Sequence, residues 1–117
     1  MLTWILLLFT FIFVISMVGC GLFLWKCPPK DINALIGYRT KRSMESQKAW
    51  DFAQCYAGKM WVRLGIADGL VFIPLSFLPI PERQVWVIFL FLFLHAVVLL
   101  LVCPLTERAL KQYLNQS

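Results

Sequence analysis

Three long apolar runs, separated by polar segments, dominate the pattern of this chain. They cover residues 2–25, 60–78 and 84–103. Each is close to the roughly 20 apolar residues that a helix needs to cross about 30 Å of hydrocarbon. A helix satisfies its own backbone hydrogen bonds, which lipid cannot do. The pattern therefore predicts an all-α integral membrane protein with three transmembrane helices, in one membrane domain over residues 1–117.

The segment 26–59, between the first two runs, is polar and is expected to begin with a short helix. Asp31 is positioned to cap a helix from Ile32 to Ile36, because its side chain can accept from free backbone N–H groups. Gly37 is positioned to end that helix in a left-handed conformation, which glycine adopts without strain. Ser43 is expected to cap the helix that follows.

That second helix is predicted to be amphipathic. Its apolar residues recur at helical spacing while polar residues occupy the other face. A helix of this kind is typical of the membrane interface, so we predict that it lies there and that Gly58–Lys59 is a hinge into the second span. The apolar stripe consists of Ala49, Trp50, Ala53, Tyr56, Ala57 and Met60.

Prolines mark the ends of the apolar runs. Pro28 and Pro29 follow the first run, and Pro104 follows the third, where it is expected to end the helix before a polar tail over residues 104–117. Pro74 lies inside the second run and is expected to kink it.

Charge and composition set the orientation and the broad class. The chain is 61% hydrophobic and 15% charged, whereas a soluble domain has about a quarter of its residues charged. Eight Lys or Arg residues lie within residues 26–63, against Arg83 alone in the loop 79–83. The positive-inside rule then places residues 33–57 and the C-terminus in the cytoplasm and the N-terminus outside. The net charge of +5 is explained by membrane lipids, so direct binding of nucleic acid is not expected.

No cofactor, metal site or enzymatic activity is expected. The cysteines show no C-x-x-C or Cys/His spacing, so they do not indicate a metal site. The chain has no Ser/Cys–His–carboxylate order and no phosphate-binding loop of known type. The four cysteines are Cys20, Cys27, Cys55 and Cys103.

Two ionisable residues lie inside the predicted spans. Asp68 and His95 are each about 12 Å from the cytoplasmic end of their helices, so they are expected to be able to meet. They form either a proton-linked or substrate-contacting pair, or a structural hydrogen bond between helices. Gly65 and Gly69 share the helical stripe of Asp68, and this G-x-x-x-G pattern predicts close helix packing, including a homo-oligomer through that stripe.

The residues after Gly37 carry the most recognisable polar chemistry. A glycine turn followed by Tyr38, Arg39 and Thr40 presents backbone N–H groups, a guanidinium and hydroxyls, which suit a phosphate or a carboxylate. Because Glu107 follows the third run and returns to the same interface, we predict an Arg39–Glu107 ion pair. A lipid phosphate on Arg39 and a solvated loop are the alternatives.

Two separated motifs resemble the SdpI family of small bacterial membrane proteins. The first is N-x-x-x-G-Y-R-T with a following Ser-Met and a Trp/Ala helix, and the second is P-x-T-E-x-x-L. In this chain they are carried by Asn33, Gly37, Tyr38, Arg39, Thr40, Ser43, Met44, Trp50, Ala53, Pro104, Thr106, Glu107 and Leu110.

The resemblance implies a multi-pass protein of the bacterial cytoplasmic membrane that gives immunity to a secreted, membrane-active toxin peptide. In part of the family it also implies docking of a cytoplasmic regulator. The residues themselves leave a second hypothesis open, a small oligomeric transporter or lipid-handling protein that uses Asp68, His95 and Arg39.

Overall fold

A computed structural model describes residues 2–116, and this part of the chain is helical apart from its turns and connections. The bundle is elongated, with extents of 54, 23 and 22 Å. The all-α prediction is confirmed. The helices are α1 (Leu2–Lys26), α2 (Gln47–Leu75), α3 (Trp86–Leu100) and α4 (Val102–Asn115).

Within residues 2–116, two helical stretches are long and apolar enough to cross a membrane. They are α1 and the run Trp86–Asn115, which joins α3 and α4 through Leu101. Most of each apolar window faces outward, as expected of helices that contact lipid. The predicted second span, 60–78, lies largely within α2, where Arg63 and Asp68 interrupt the apolar pattern.

The helix α2 is continuous, which corrects two predictions about its first half. Gly58–Lys59 is not a hinge, because the helix continues through it. The cap is Ser46 and not Ser43, since the Ser46 hydroxyl accepts from the Ala49 N–H at 3.1 Å. Ser43 is unavailable as a cap because its hydroxyl bonds to the backbone of the preceding loop.

The predicted interfacial helix is the first part of α2, and its apolar stripe faces the protein. Ala49, Trp50, Ala53 and Ala57 are all fully buried. The three alanines pack in a core with Leu24 of α1, Tyr38 of the loop, and Val102 and Leu110 of α4. Neighbouring helices therefore cover this part of the stripe, while the location of the helix at the membrane interface stays a prediction.

Glycines allow α1 and α2 to cross in backbone contact. A Cβ atom on Gly58 would lie 2.6 Å from the Gly21 carbonyl oxygen, and one on Gly21 would lie 2.7 Å from the Gly58 oxygen. Further along, a Cβ on Gly65 would lie 3.1 Å from the Met17 Cβ, and Gly69 faces Val14. The Gly65/Gly69 stripe therefore packs within the chain, and it is not a free surface for a homo-oligomer.

Pro104 begins a helix and does not end one. It lies in the first turn of α4, where the missing N–H has no intrahelical partner to lose. Most of the predicted polar tail is thus helical, up to Asn115, and Ser117 lies outside the described residues. Val102, Thr106 and Leu110 recur at intervals of four and are buried together.

The predicted helix at 32–36, with its cap at Asp31, is absent. The Asn33 Oδ1 atom accepts from the N–H groups of Leu35 at 2.9 Å and Ile36 at 2.7 Å, which forms a side-chain turn. Gly37 does have a positive φ, 114°, as its position suggested. A Cβ there would lie 2.6 Å from Gln54 Oε1, so the site also lacks room for a side chain.

Candidate functional site

Two polar clusters lie at different heights in the bundle. The Glu107 cluster consists of Tyr38, Thr40, Arg42 and Glu107, and it joins the loop before α2 to helix α4. The Asp68 cluster consists of Thr10, Asp68 and His95, and it joins α1, α2 and α3. Most of the polar residues singled out from the sequence belong to one of them or contact it.

The Glu107 carboxylate is the centre of the first cluster. Its Oε1 atom accepts from the Tyr38 hydroxyl at 2.9 Å and from the Thr40 hydroxyl. Its Oε2 atom lies 3.3 Å from Arg42 Nη1. Hydrogen bonds to a charged acceptor are about twice as strong as neutral ones, so the loop is tethered to α4 by its strongest available contacts.

The predicted Arg39–Glu107 ion pair is wrong, because Arg42 occupies that place. Arg39 is exposed, and its Nε atom donates to the Asn33 carbonyl at 3.1 Å. In an extended segment successive side chains point to opposite sides. Since Tyr38 and Thr40 both face Glu107, the residue between them faces away.

Gln54 holds the loop in register, and the sequence analysis missed it. Its Oε1 accepts from the Tyr38 N–H at 2.6 Å, and its Nε2 donates to the Tyr38 carbonyl at 2.7 Å. The side chain is fully buried. The available signal was the i+4 spacing from Trp50, which places Gln54 beside the apolar stripe and not opposite it.

Other residues of the first motif fix the ends of the loop. The Trp50 indole N–H donates to the Pro29 carbonyl at 2.7 Å. The Ser43 hydroxyl lies 2.8 Å from the Thr40 nitrogen, and the Met44 N–H donates to the Thr40 carbonyl at 3.1 Å. The motif therefore forms a defined loop, and its polar atoms largely take part in the hydrogen bonds that hold this loop together.

An open depression of about 410 Å³ lies beside the Glu107 cluster. It is lined by two cations and two carboxylates together with Thr40. This mixed lining does not select an anion by net charge, and Glu107 is already engaged within the cluster. The charged residues are Lys41, Arg42, Glu45 and Glu107.

The environment of Tyr38 disfavours its ionisation. Burial raises the pKa of the Tyr38 hydroxyl well above its ordinary value, and the adjacent Glu107 carboxylate raises it further. The hydroxyl also lies 3.1 Å from the Cys103 carbonyl oxygen. Tyr38 therefore acts here as a hydrogen-bond donor that stays protonated.

The Asp68 cluster brings the two predicted intramembrane residues together. His95 Nδ1 lies 3.0 Å from Asp68 Oδ1 and 2.9 Å from Oδ2. On the other side of the ring, Nε2 lies 3.2 Å from the Thr10 hydroxyl, which donates to the Leu6 carbonyl at 2.9 Å. Thr10 could not be singled out from the sequence, because a lone threonine in an apolar run carries no specific signal.

The order Asp68, His95, Thr10 has the connectivity of an acid–base–nucleophile triad. Thr10 and His95 are nevertheless fully buried, and Asp68 is 3% exposed. A substrate therefore has no contact surface on the Thr10 hydroxyl, and the connectivity alone does not indicate acyl transfer. The phenyl rings of Phe13 and Phe72 lie 4.9 and 4.5 Å from the imidazole centre.

A groove of about 250 Å³ reaches Asp68 from between α2 and α3. Its lining is almost wholly apolar and ends at the α3–α4 junction. The lining residues are Leu64, Ala67, Asp68, Val71, Phe72, Val98 and Leu101.

Two further predicted site features have simple outcomes within residues 2–116. Thr106 is fully buried, and its hydroxyl has no hydrogen-bond partner there. The same residues contain no group of three or more His, Cys, Asp or Glu side chains arranged to hold a metal ion.

Comparison with known proteins identifies the family. The model of the SdpI/YfhL protein family matches residues 30–103, which include the loop, α2 and α3. Over 50 residues the chain is 38% identical to a Bacillus subtilis (strain 168) protein named "Uncharacterized protein YfhL". That stretch is 43% of this chain and 46% of the relative, so it spans under half of each. No solved structure matches. Because the family match covers more than half of its length, the chain belongs to the SdpI/YfhL protein family.

Proposed function

We propose that this protein is a non-enzymatic immunity protein of the bacterial cytoplasmic membrane that protects against a secreted, membrane-active toxin peptide. The observation that carries the proposal is membership of the SdpI/YfhL family through residues 30–103. The exposed apolar surface of the helices supports the proposal, because a toxin peptide that acts within the membrane would have to contact the protein on that surface.

We further propose three spans, with the N-terminus outside and the C-terminus inside. The 29 residues of α2 extend about 43 Å, more than the roughly 30 Å of hydrocarbon, so one end projects. The proposed second span, 60–78, consists of the last part of α2, about 24 Å from Met60 to Leu75, and the turn that follows it. The earlier part of α2 projects with α4 on the basic side. Lys26 and Lys59 both approach the Trp25 ring, at 4.1 and 5.8 Å, which suits the headgroup level on that side.

The toxin-contacting surface is proposed to be the outward face of α3. Trp86, Phe89 and Phe93 lie at i, i+3 and i+7, so they form one ridge, and each is at least 60% exposed. An apolar helix in the membrane packs against such a ridge by shape and dispersion. The Glu107 cluster holds α4 and the loop at the other end and provides the surface on which a cytoplasmic regulator would dock.

A survival assay tests this proposal. Sensitive bacteria that express the protein are challenged with a panel of secreted, membrane-active bacterial peptides, and improved survival is expected for at least one. Phe89→Ala with Phe93→Ala should abolish protection at an unchanged membrane level. The control, Phe11→Ala on the exposed face of α1, should retain it. Absence of protection against the whole panel would contradict the proposal.

The groove beside Asp68 favours a second function, the handling of a lipid or other apolar molecule. Its volume of about 250 Å³ and apolar lining suit part of an acyl chain. Val71→Trp should fill the groove and reduce the phospholipid that stays bound to the protein through purification, as measured by native mass spectrometry. Equal retention in both proteins would argue against this function, independently of the survival assay.

A homo-oligomer remains part of the proposal, through faces other than the Gly65/Gly69 stripe that α1 covers. Cross-linking in membranes measures it, and a monomer at all protein-to-lipid ratios would rule it out.

A further inference from the structure

We propose that the Asp68 cluster is a proton-binding site and that Thr10 is the residue that sets its proton count. The reference state is an ionised Asp68 carboxylate beside a neutral His95 imidazole, which has a net charge of about −1. In this proposal the pair holds one more proton than that, so it has no net charge. The inference stands on the hydrogen bonds and burial of the cluster and is independent of the proposed immunity function.

The first step concerns the direction of the Thr10 hydrogen bonds. The Leu6 carbonyl, 2.9 Å from the Thr10 hydroxyl oxygen, can only accept. The single hydroxyl hydrogen therefore points at Leu6. The same oxygen lies 3.2 Å from His95 Nε2, and toward that atom it can act only as a hydrogen-bond acceptor. In the arrangement we propose, Nε2 carries a hydrogen and donates it to Thr10.

The second step concerns the other ring nitrogen. His95 Nδ1 lies within 3.0 Å of both Asp68 oxygens, and two acceptors at that distance need a hydrogen between them. With Nε2 already protonated, two arrangements supply it. Either an imidazolium donates to a carboxylate, or a protonated Asp68 donates to the Nδ1 lone pair of a neutral ring. Both contain the same number of protons and have no net charge.

The third step is that the surroundings favour a neutral pair. The side chains that contact the imidazole are Thr10 and Phe13 from α1, Asp68 and Phe72 from α2, and Phe91 from α3. Asp68 is the only titratable group in this set. A lone carboxylate among these rings would be an uncompensated buried charge, which is strongly unfavourable.

Loss of the proton changes a contact of α1. A neutral ring that donates from Nδ1 to a carboxylate leaves Nε2 as an acceptor. The Thr10 hydroxyl must then turn from the Leu6 carbonyl toward the ring in order to keep a bond. Proton occupancy is thereby coupled to a hydrogen bond within α1, and Thr10 is the positioning residue that links the two.

The chain contains one histidine, which makes the test direct. The full-length protein, labelled with ¹⁵N-histidine in lipid bilayers, is titrated by NMR between about pH 5 and about pH 8, where a free imidazole changes charge. We expect Nε2 to carry a hydrogen throughout. A wild-type spectrum at neutral pH with a bare Nε2 would overturn the proposal.

Substitution of Thr10 tests its positioning role. Thr10→Val keeps the shape but removes the acceptor, so we expect the ring hydrogen to move from Nε2 to Nδ1. Thr10→Ser keeps the hydroxyl and should match the wild type. A Thr10→Val spectrum identical to the wild type would refute the role of Thr10. Should that variant fail to fold, the wild-type titration alone still decides the proton count.

Discussion

The Glu107 and Asp68 clusters each reduce the hydration of a carboxylate, the first partly and the second almost completely, and they compensate in different ways. Two hydroxyls and the Arg42 guanidinium contact the Glu107 carboxylate, and these contacts stabilise it as an anion. Asp68 has one partner, His95, and we propose that a shared proton cancels its charge. If the proposal holds, the number of available donors decides whether each carboxylate is held as an anion or has its charge cancelled by a proton.

Their positions explain why the two solutions differ. The side chains of Arg42 and Glu107 are 40% and 28% exposed, so the arginine can keep part of its hydration. The Asp68 cluster lies between helices whose outward faces are apolar, where a permanent cation would be costly. Histidine suits that place because it can exist without charge.

The largest expected effect tests how far the loop depends on Gln54. Gln54→Leu leaves the Tyr38 N–H without its partner and removes one donor to the Tyr38 carbonyl, inside a buried region. An unmet buried group costs about 1–3 kcal/mol, so we expect a loss of about 2–4 kcal/mol in the free energy of unfolding. Detergent-induced unfolding in mixed micelles, followed by circular dichroism, measures it. Gln112→Leu, on an exposed position of α4, is the control. A loss no larger than that of the control would remove the special role of Gln54.

A second effect, confined to alkaline pH, sharpens the contrast between the clusters. The pKa of Tyr38 is raised in the folded protein, so above about pH 10 the unfolded chain loses this proton first. The free energy of unfolding should then fall by up to about 1.4 kcal/mol per pH unit from this group. The difference between wild type and Tyr38→Phe isolates the effect. Parallel pH profiles of the two proteins above that pH would contradict it.

A smaller effect compares the two carboxylates directly. Asp68→Asn should cost about 1 kcal/mol or less, because the pair it alters is already neutral and hydrogen bonds between membrane helices are weak. Glu107→Gln removes a charge that holds Arg42 and should cost more, about 1–2 kcal/mol. Unfolding of both variants in the same micelles ranks them, and the reverse order would break the comparison.

If the proton of Asp68 serves protection, Asp68→Asn abolishes survival in the toxin assay while the fold persists. Full survival would mean that the proton is structural.

The smallest effect separates the two arginines. Arg42→Gln should cost under about 1 kcal/mol, since the ion pair is partly exposed and salt screens it. Arg39→Gln should cost less again, because its guanidinium makes one hydrogen bond to a backbone carbonyl. Unfolding at low and high salt should show salt dependence for the Arg42 contact. If Arg39→Gln lowered the free energy of unfolding more than Arg42→Gln, Arg42 would not be the arginine that ties the loop to Glu107.

The candidate site was partly predictable, and the errors share a cause. The sequence indicated that Asp68 and His95 lie at one depth, and they meet. It did not indicate which arginine reaches Glu107, because that depends on which side of an extended segment each side chain faces. Thr10 and Gln54 were missed since their partners are distant in sequence and carry no local motif.

The sequence by itself determined the helical class, the positions of the apolar helices and the turn at Gly37. Apolar periodicity and the steric freedom of glycine act within a few residues, so they can be read locally. Only the tertiary structure decided that α2 runs unbroken through Gly58, that Pro104 begins a helix and that α1 covers the Gly65/Gly69 stripe. Those outcomes depend on which helix faces come into contact, and no local rule specifies a partner that folds back from far along the chain.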